Sequence, residues 1–270
     1  MQEVRVIVAT ELSRSGAAIA RHGALLARAE GASLHLVHYE SPAFAAPFEH
    51  GSLLPFFQSV PQSTASAHAR LGLIANSVER YGLPIHAAVM AAPLRGLSEQ
   101  VNDDDIVVVG TRPRGRLSIG LRRSFLSQCL STIPGGLLVV PESATTRPVA
   151  TVLCALGGLT TSGPLSHYAA FLSERLGATL RVLLQSDGAS APPAGTAYAR
   201  AESLLRAAVS ASSNEDRMWV VTPAPKADTF TRGERVAYER LLRSSRSPVL
   251  FMDERREAFT WSPTRTRCSS

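Results

Sequence analysis

Lysine is almost missing from this sequence. Lys226 is the only one, so arginine carries nearly all of the formal charge of +6. A modest basic excess favours polyanions in general. Yet no recognition helix, zinc-finger spacing or aromatic-interleaved basic stripe accompanies it, so the sequence offers no nucleic-acid interface, and the arginines read as spread over solvated faces. Cysteine is also scarce. Cys129, Cys154 and Cys268 are far apart, odd in number and form no CxxC. That excludes a disulfide frame and a cysteine zinc site, and the three read as reduced thiols of a cytoplasmic protein. No apolar run reaches the roughly eighteen residues that a membrane span needs. The first strand begins by Val4, which leaves no room for a signal peptide.

Several catalytic signatures are absent too. There is no Gly-x4-Gly-Lys-Ser/Thr loop, no GxGxxG after the first strand and no Gly-x-Ser-x-Gly elbow. His35 and His38 stand three apart on a strand, so they point to opposite faces and cannot chelate one metal. His22 reads as a semi-buried helix residue. Ser13 and Ser124 have no evident partner base, so neither reads as a nucleophile. The expectation is a protein that is not an enzyme.

What is present is a chain of 270 residues, 45% hydrophobic, long enough for one large or two small domains. Ile106 to Pro141 organises it. Ile106-Val107-Val108-Val109 is a β-branched run of the kind buried in a parallel sheet. Gly110 ends it and opens an arginine-rich loop, Thr111-Arg112-Pro113-Arg114-Gly115-Arg116. A helix pattern follows over 119–130. Pro134-Gly135-Gly136 breaks it, and Leu137-Leu138-Val139-Val140 forms another buried strand. In an open α/β sheet the loops at the carboxyl ends of strands hold ligands, so this loop is the first candidate site.

Before it come a strand over 4–8, a helix over 15–29, a strand over 34–39, a helix over 64–81 and a strand over 85–90. A short helix over 95–101 and the polar turn Asn102-Asp103-Asp104-Asp105 follow. The turn precedes the amino end of a strand, the wrong end for a cation site. Residues 40–63 carry Phe44, Phe48, Phe56 and Phe57 among prolines and alanines. They read either as a connection folded over the core or as a lid or partner surface. Alternating strands and helices make a doubly wound parallel sheet the natural fold.

The second half repeats the first. Gly31-Ala32-Ser33-Leu34 matches Gly177-Ala178-Thr179-Leu180 at an offset of 177 − 31 = 146. Val107-Val108-Val109-Gly110 matches Trp219-Val220-Val221-Thr222 at 222 − 110 = 112. The loss falls between Gln185 and Arg217, and no counterpart of the strand over 85–90 is found there. The reading is five strands and then four: a domain over 1–145, a shortened domain over 146–253 and a flexible tail over 254–270.

On these elements the chain resembles the universal stress protein family in its tandem two-domain, UspA-like form. The resemblance implies two Rossmann-like domains of the adenine nucleotide alpha hydrolase type and a cytoplasmic role in the bacterial stress response. In that family a Gly-x2-Gly-x9-Gly-Ser/Thr signature after the fourth strand cradles the phosphates of ATP, and glycine-freed amides at a helix N-terminus suit that task. Here Gly110, Pro113, Arg123 and Ser124 stand at the four positions. Pro113 removes an amide. After the first strand, Ala9-x-Glu11-x-Ser13 stands where the family has an aspartate. Val37 or its neighbour His38 stands at the adenine-side position. In the second half Thr222, Pro225, Arg235 and Val236 take the signature positions and Gly157 the carboxylate position, so no nucleotide is expected there.

The implied site is therefore Ala9, Glu11, Val37, Gly110, Arg112, Arg123 and Ser124, with no cofactor certain and ATP or AMP as the candidates. The arginines at 112, 114, 116, 122 and 123 read either as phosphate ligands replacing lost amides or as solvated and interface residues. The resemblance also implies an intramolecular pseudo-dimer through Leu137–Val140 and Val249–Met252, the last strands of the two halves, because two apolar edges in one chain satisfy each other. A homodimer of whole chains and an unidentified protein partner remain open. The expected function is a non-catalytic interaction and regulatory module whose nucleotide binding is weak or lost. The alternative is an adenine-nucleotide or anion sensor working through the first half.

Overall fold

The computed structural model describes residues 4–10, 12, 16–39, 64–90, 100–111, 129, 135–156, 163–184, 197–212, 215, 217–224, 241–242 and 244–252. The segment 40–63, the tail from 253 onward and the helix expected over 119–130 (apart from Cys129) lie outside them.

The first half runs β1 (Arg5–Ala9), α1 (Gly16–Glu30), β2 (Ser33–Tyr39), α2 (Thr64–Val78), a 3-10 turn (Glu79–Tyr81), β3 (Ile85–Met90), β4 (Ile106–Gly110) and β5 (Gly136–Val140). The second runs β6 (Thr151–Leu156), α3 (Gly163–Leu176), β7 (Thr179–Leu184), α4 (Ala197–Ser212), β8 (Met218–Pro223) and β9 (Val249–Met252). The strand order is β3-β2-β1-β4-β5-β9-β8-β6-β7 in one nine-stranded sheet. Every neighbouring pair is parallel except β5 and β9. These run antiparallel, with Leu137 opposite Phe251, Leu138 opposite Leu250 and Val139 opposite Val249. Paired last strands were expected from the sequence, but so were two separate sheets, and here the structure differs: it has one continuous sheet. The ladder between the last strands fuses the two sheets into one.

The inner strands are continuous apolar runs buried on both faces, whereas the edge strands β3 and β7 are largely exposed. α1, α2 and α3 cover one face, over Val8, Leu34, Leu36, Val108, Leu138, Trp219 and Leu250. Leu204, Leu205 and Ala208 of α4 cover the other, over Leu153, Val220 and Phe251. α4 therefore packs on the face opposite to α2. Among the described residues the second half shows no counterpart of α2 and β3.

The repeat extends to hydrogen bonds. α1 and α3 both end in a left-handed glycine, Gly31 at φ +66° and Gly177 at φ +63°. Ala32 N donates to Ala27 O (2.8 Å) and Ala178 N to Ser173 O (2.8 Å), each 146 residues after the other. Such closure satisfies the last carbonyls of a helix and turns the chain into the next strand.

One correspondence needs correction. The sequence match sets Val107 on Trp219, but Val107 and Trp219 lie on opposite faces of the sheet. The ladders set Val6 against Ile106 in the first half and Val152 against Trp219 in the second. Ile106 thus corresponds to Trp219, an offset of 219 − 106 = 113. A slip of one residue exchanges the faces of a strand, and the buried pattern forbids it. The counterpart of Gly110 is Pro223, not Thr222.

At the amino ends of β1 and β4, Asp105 is buried and engaged. Its carboxylate accepts from Arg5 Nε (3.1 Å), Arg5 Nη2 (2.5 Å) and Asn102 N (2.8 Å). The aspartate turn is thus a structural lock, and its ion pair further raises the Arg5 pKa through the hydrogen bond to Asp105. Between the halves, Tyr168 of α3 donates its hydroxyl to Glu30 Oε1 of α1 (2.5 Å).

Candidate functional site at the strand ends

The crossover from β1 leads to β2 on one side, while β4 lies on its other side and leads on to β5. The strand order reverses between β1 and β4, the kind of switch point at whose carboxyl ends open α/β sheets hold ligands. Ala9 and Thr10 stand on one side of it and Gly110 and Thr111 on the other. Ala9 and Gly110 are both small, and Ala9, Thr10 and Thr111 are buried.

Hydrogen bonds tie this rim together. Thr10 N donates to Val37 O (2.9 Å) and Thr111 N to Val140 O (2.9 Å), extending the ladders by one residue. His38 Nδ1 lies 2.8 Å from Thr10 O. A carbonyl only accepts, so His38 carries its proton on Nδ1. Leu12 N donates to Thr10 Oγ1 (3.2 Å). Leu12 has φ 56°, a left-handed value costly for leucine, and its side chain is buried. The Thr10 hydroxyl and the burial of Leu12 hold this turn where α1 begins.

Gly110 has a packing reason to be glycine. A Cβ there would lie 2.4 Å from Ile19 Cδ1 of α1. Gly16, the first residue of α1, is similarly confined, because a Cβ would lie 2.8 Å from Thr10 Oγ1. α1 therefore seats directly on the ends of β1 and β4.

Of the residues expected at the site, Ala9, Val37 and Gly110 come together at the ends of the adjacent strands β2, β1 and β4. Glu11, Arg112, Arg123 and Ser124 lie outside the described residues. Thr10, Thr111 and Ile19 were not foreseen. The signal for the threonines was there, one residue past each small strand end, in Ala9-Thr10 and Gly110-Thr111.

Chemical reactivity elsewhere is low. Burial pushes the Cys129 and Cys154 thiols up to about 12, so both are protonated near neutral pH and poor nucleophiles. Among the described residues no group of three or more His, Cys, Asp or Glu could hold a metal ion. Nor is any helix among them long and apolar enough to cross a membrane.

No protein-family model matches the sequence, and a search of curated proteins finds no match. Solved structures do match. A universal stress protein from Archaeoglobus fulgidus DSM 4304 superposes with a TM-score of 0.65 at 12% identity, over 92% of this chain and 96% of that one. The fold is that of the universal stress proteins. A putative universal stress protein from Pseudomonas aeruginosa UCBPP-PA14 gives 0.53 at 16% identity, over 93% and 92% of the two chains. A functionally unknown protein from Pseudomonas aeruginosa PAO1 gives 0.56 at 16% identity, with the same coverage. The universal-stress fold thus accounts for nearly the whole chain, both halves included.

Proposed function

We propose that this chain is a tandem universal-stress-type protein, with domains over 1–145 and 146–253, that acts as a non-catalytic interaction and regulatory module in the cytoplasm. Its nucleotide binding is weak or lost. The observation that carries this reading is the state of the rim. The Val37 carbonyl, the Thr10 carbonyl and the Thr111 amide are each bonded within the chain, and α1 presses Ile19 onto Gly110. A purine entering here must compete with those bonds, at roughly 1 kcal/mol for each one displaced. Pro113 and Arg123, at the second and third signature positions, further reduce the bare amides on offer. The pairing of β5 with β9 supports an intramolecular pseudo-dimer.

The second reading is a sensor of an adenine nucleotide, ATP or AMP, or of another anion. It rests on the small residues Ala9 and Gly110 at the switch point and on the arginines of the loop after β4. Glu11, Arg112, Arg123 and Ser124 would complete that site.

Titration calorimetry with ATP and AMP separates the two. The first reading expects no saturable binding below millimolar ligand and at most weak heat there. Saturable binding at micromolar ligand, abolished by Arg123→Glu, establishes the second.

A further inference from the structure

Among the described residues, the second half leaves unpaired an edge that the first half covers. In the first half, β2 lies beneath α2 and beside β3, and its Leu34 and Leu36 are fully buried. β7 holds the same place in the second half, where no described element is a counterpart of α2 and β3. Its Val182 and Leu184, 146 residues after Leu36 and His38, are 49% and 51% exposed. Both share a face with Leu180, because side chains alternate along a strand. Among the described residues no strand pairs with the outer edge of β7.

β7 also lacks the devices that keep sheet edges apart, such as proline, lysine or a bulge. Its six residues pair with β6 in unbroken register. Its one charged residue, Arg181, lies on the opposite face and is held in an ion pair by Glu215. The other edge of the sheet, β3, instead exposes His86, Ala87 and Ala88.

We propose that β7 is a docking edge for β7 of a second copy of this chain, the two forming an antiparallel ladder about a two-fold axis through Val182. The strand's own pattern singles out that occupant. Leu180, Val182 and Leu184 are symmetric about Val182. Pairing centred there sets Val182 against its own copy and Leu180 against Leu184, so one face of the ladder is wholly apolar. The same register sets Arg181 against Leu183. Centring on Arg181 would instead oppose two guanidinium groups, and like charges directly opposite destabilise a ladder. Charge disfavours the Arg181-centred register, and only centring on Val182 pairs all three of Leu180, Val182 and Leu184 with one another. The contact is self-complementary and closes after two copies. The chain already joins its own halves in this manner, through the apolar edges β5 and β9.

Sedimentation of the full chain at tens of micromolar should give twice the chain mass of 28.8 kDa. Val182→Lys sets two ammonium groups on the axis and should give a single chain mass, with an unchanged circular dichroism spectrum. Cross-linking supplies a second readout should that variant fail to fold. Cys129 and Cys154 are buried. In a Cys268→Ser background, Val182→Cys should form a disulfide-linked dimer on mild oxidation, and Leu73→Cys, more exposed still, should not. A monomeric wild-type chain overturns the proposal. So does a dimer that survives Val182→Lys, equal cross-linking through Leu73→Cys, or assembly that continues beyond two copies.

Discussion

His22 lies on α1 with its ring centroid 5.8 Å from that of Trp219 on β8. It is buried, and its ring nitrogens are poorly satisfied, with only the Thr145 backbone acting on them. Desolvation of the charged form lowers its pKa from 6.5 to about 4, and the backbone of Thr145 offsets only part of that. The unfolded chain takes up the proton near 6.5, whereas the folded chain resists until about 4. The stability associated with neutral His22 is therefore complete above pH 6.5, falls as the pH drops from 6.5 to 4, and declines no further below that. The loss amounts to about 3 kcal/mol. Urea denaturation of wild type and His22→Leu across this range should show a pH slope in the first that is flatter by that amount in the second. The helical spacing of α1 was legible in the sequence, but the depth of His22 was not. Trp219, which covers it, comes from the other half of the chain. Glycines test packing at the same scale. A Cβ on Gly135 would lie 2.2 Å from the Asp105 carbonyl oxygen, while a Cβ on Gly72 in α2 meets nothing. Gly135→Ala should cost about 2–3 kcal/mol, because backbone cannot yield as a side chain can. Gly72→Ala should gain about 0.5–1 kcal/mol from helix propensity. Urea midpoints of the two variants check both signs.

Among the elements, the strands were the most legible. Runs such as Ile106–Val109 and Leu137–Val140 are apolar and β-branched because both sheet faces are covered, and the structure places them as β4 and β5. Gly31 and Gly82 were legible as stops, and both adopt the left-handed conformation that favours glycine. The alignment of β4 with β8 was misjudged by one residue because four consecutive apolar residues match equally well in either register. Only the alternation of faces, visible once Trp219 and Ile106 are seen on the same side, decides it. The face taken by α4 was also hidden, since the sequence shows that a helix is amphipathic but not which side of the sheet it covers. At the switch point, the small residues Ala9 and Gly110 were found from their place after strands. The rim bonds of Thr10 and His38 were not, because they join β1 to β2 across 28 residues of chain.

At the scale of the whole molecule, nine strands form one sheet whose centre is the antiparallel contact of β5 with β9. The order β3-β2-β1-β4-β5 on one side is answered by β7-β6-β8-β9 on the other, with no described strand in the place of β3. Among the described residues β7 is unpaired at one end of the sheet, and the small residues Ala9 and Gly110 stand at the switch point of the first half. The account holds that this switch point has become part of the scaffold, its backbone bonded inward and its glycine packed under Ile19. A crystal structure of the chain purified from cells without added nucleotide tests this most directly. The account predicts only solvent between Ala9 and Gly110, with the bonds from Thr10 to Val37 and from His38 to Thr10 intact. A purine nucleotide seated there, with those bonds replaced by contacts to its base, would contradict it.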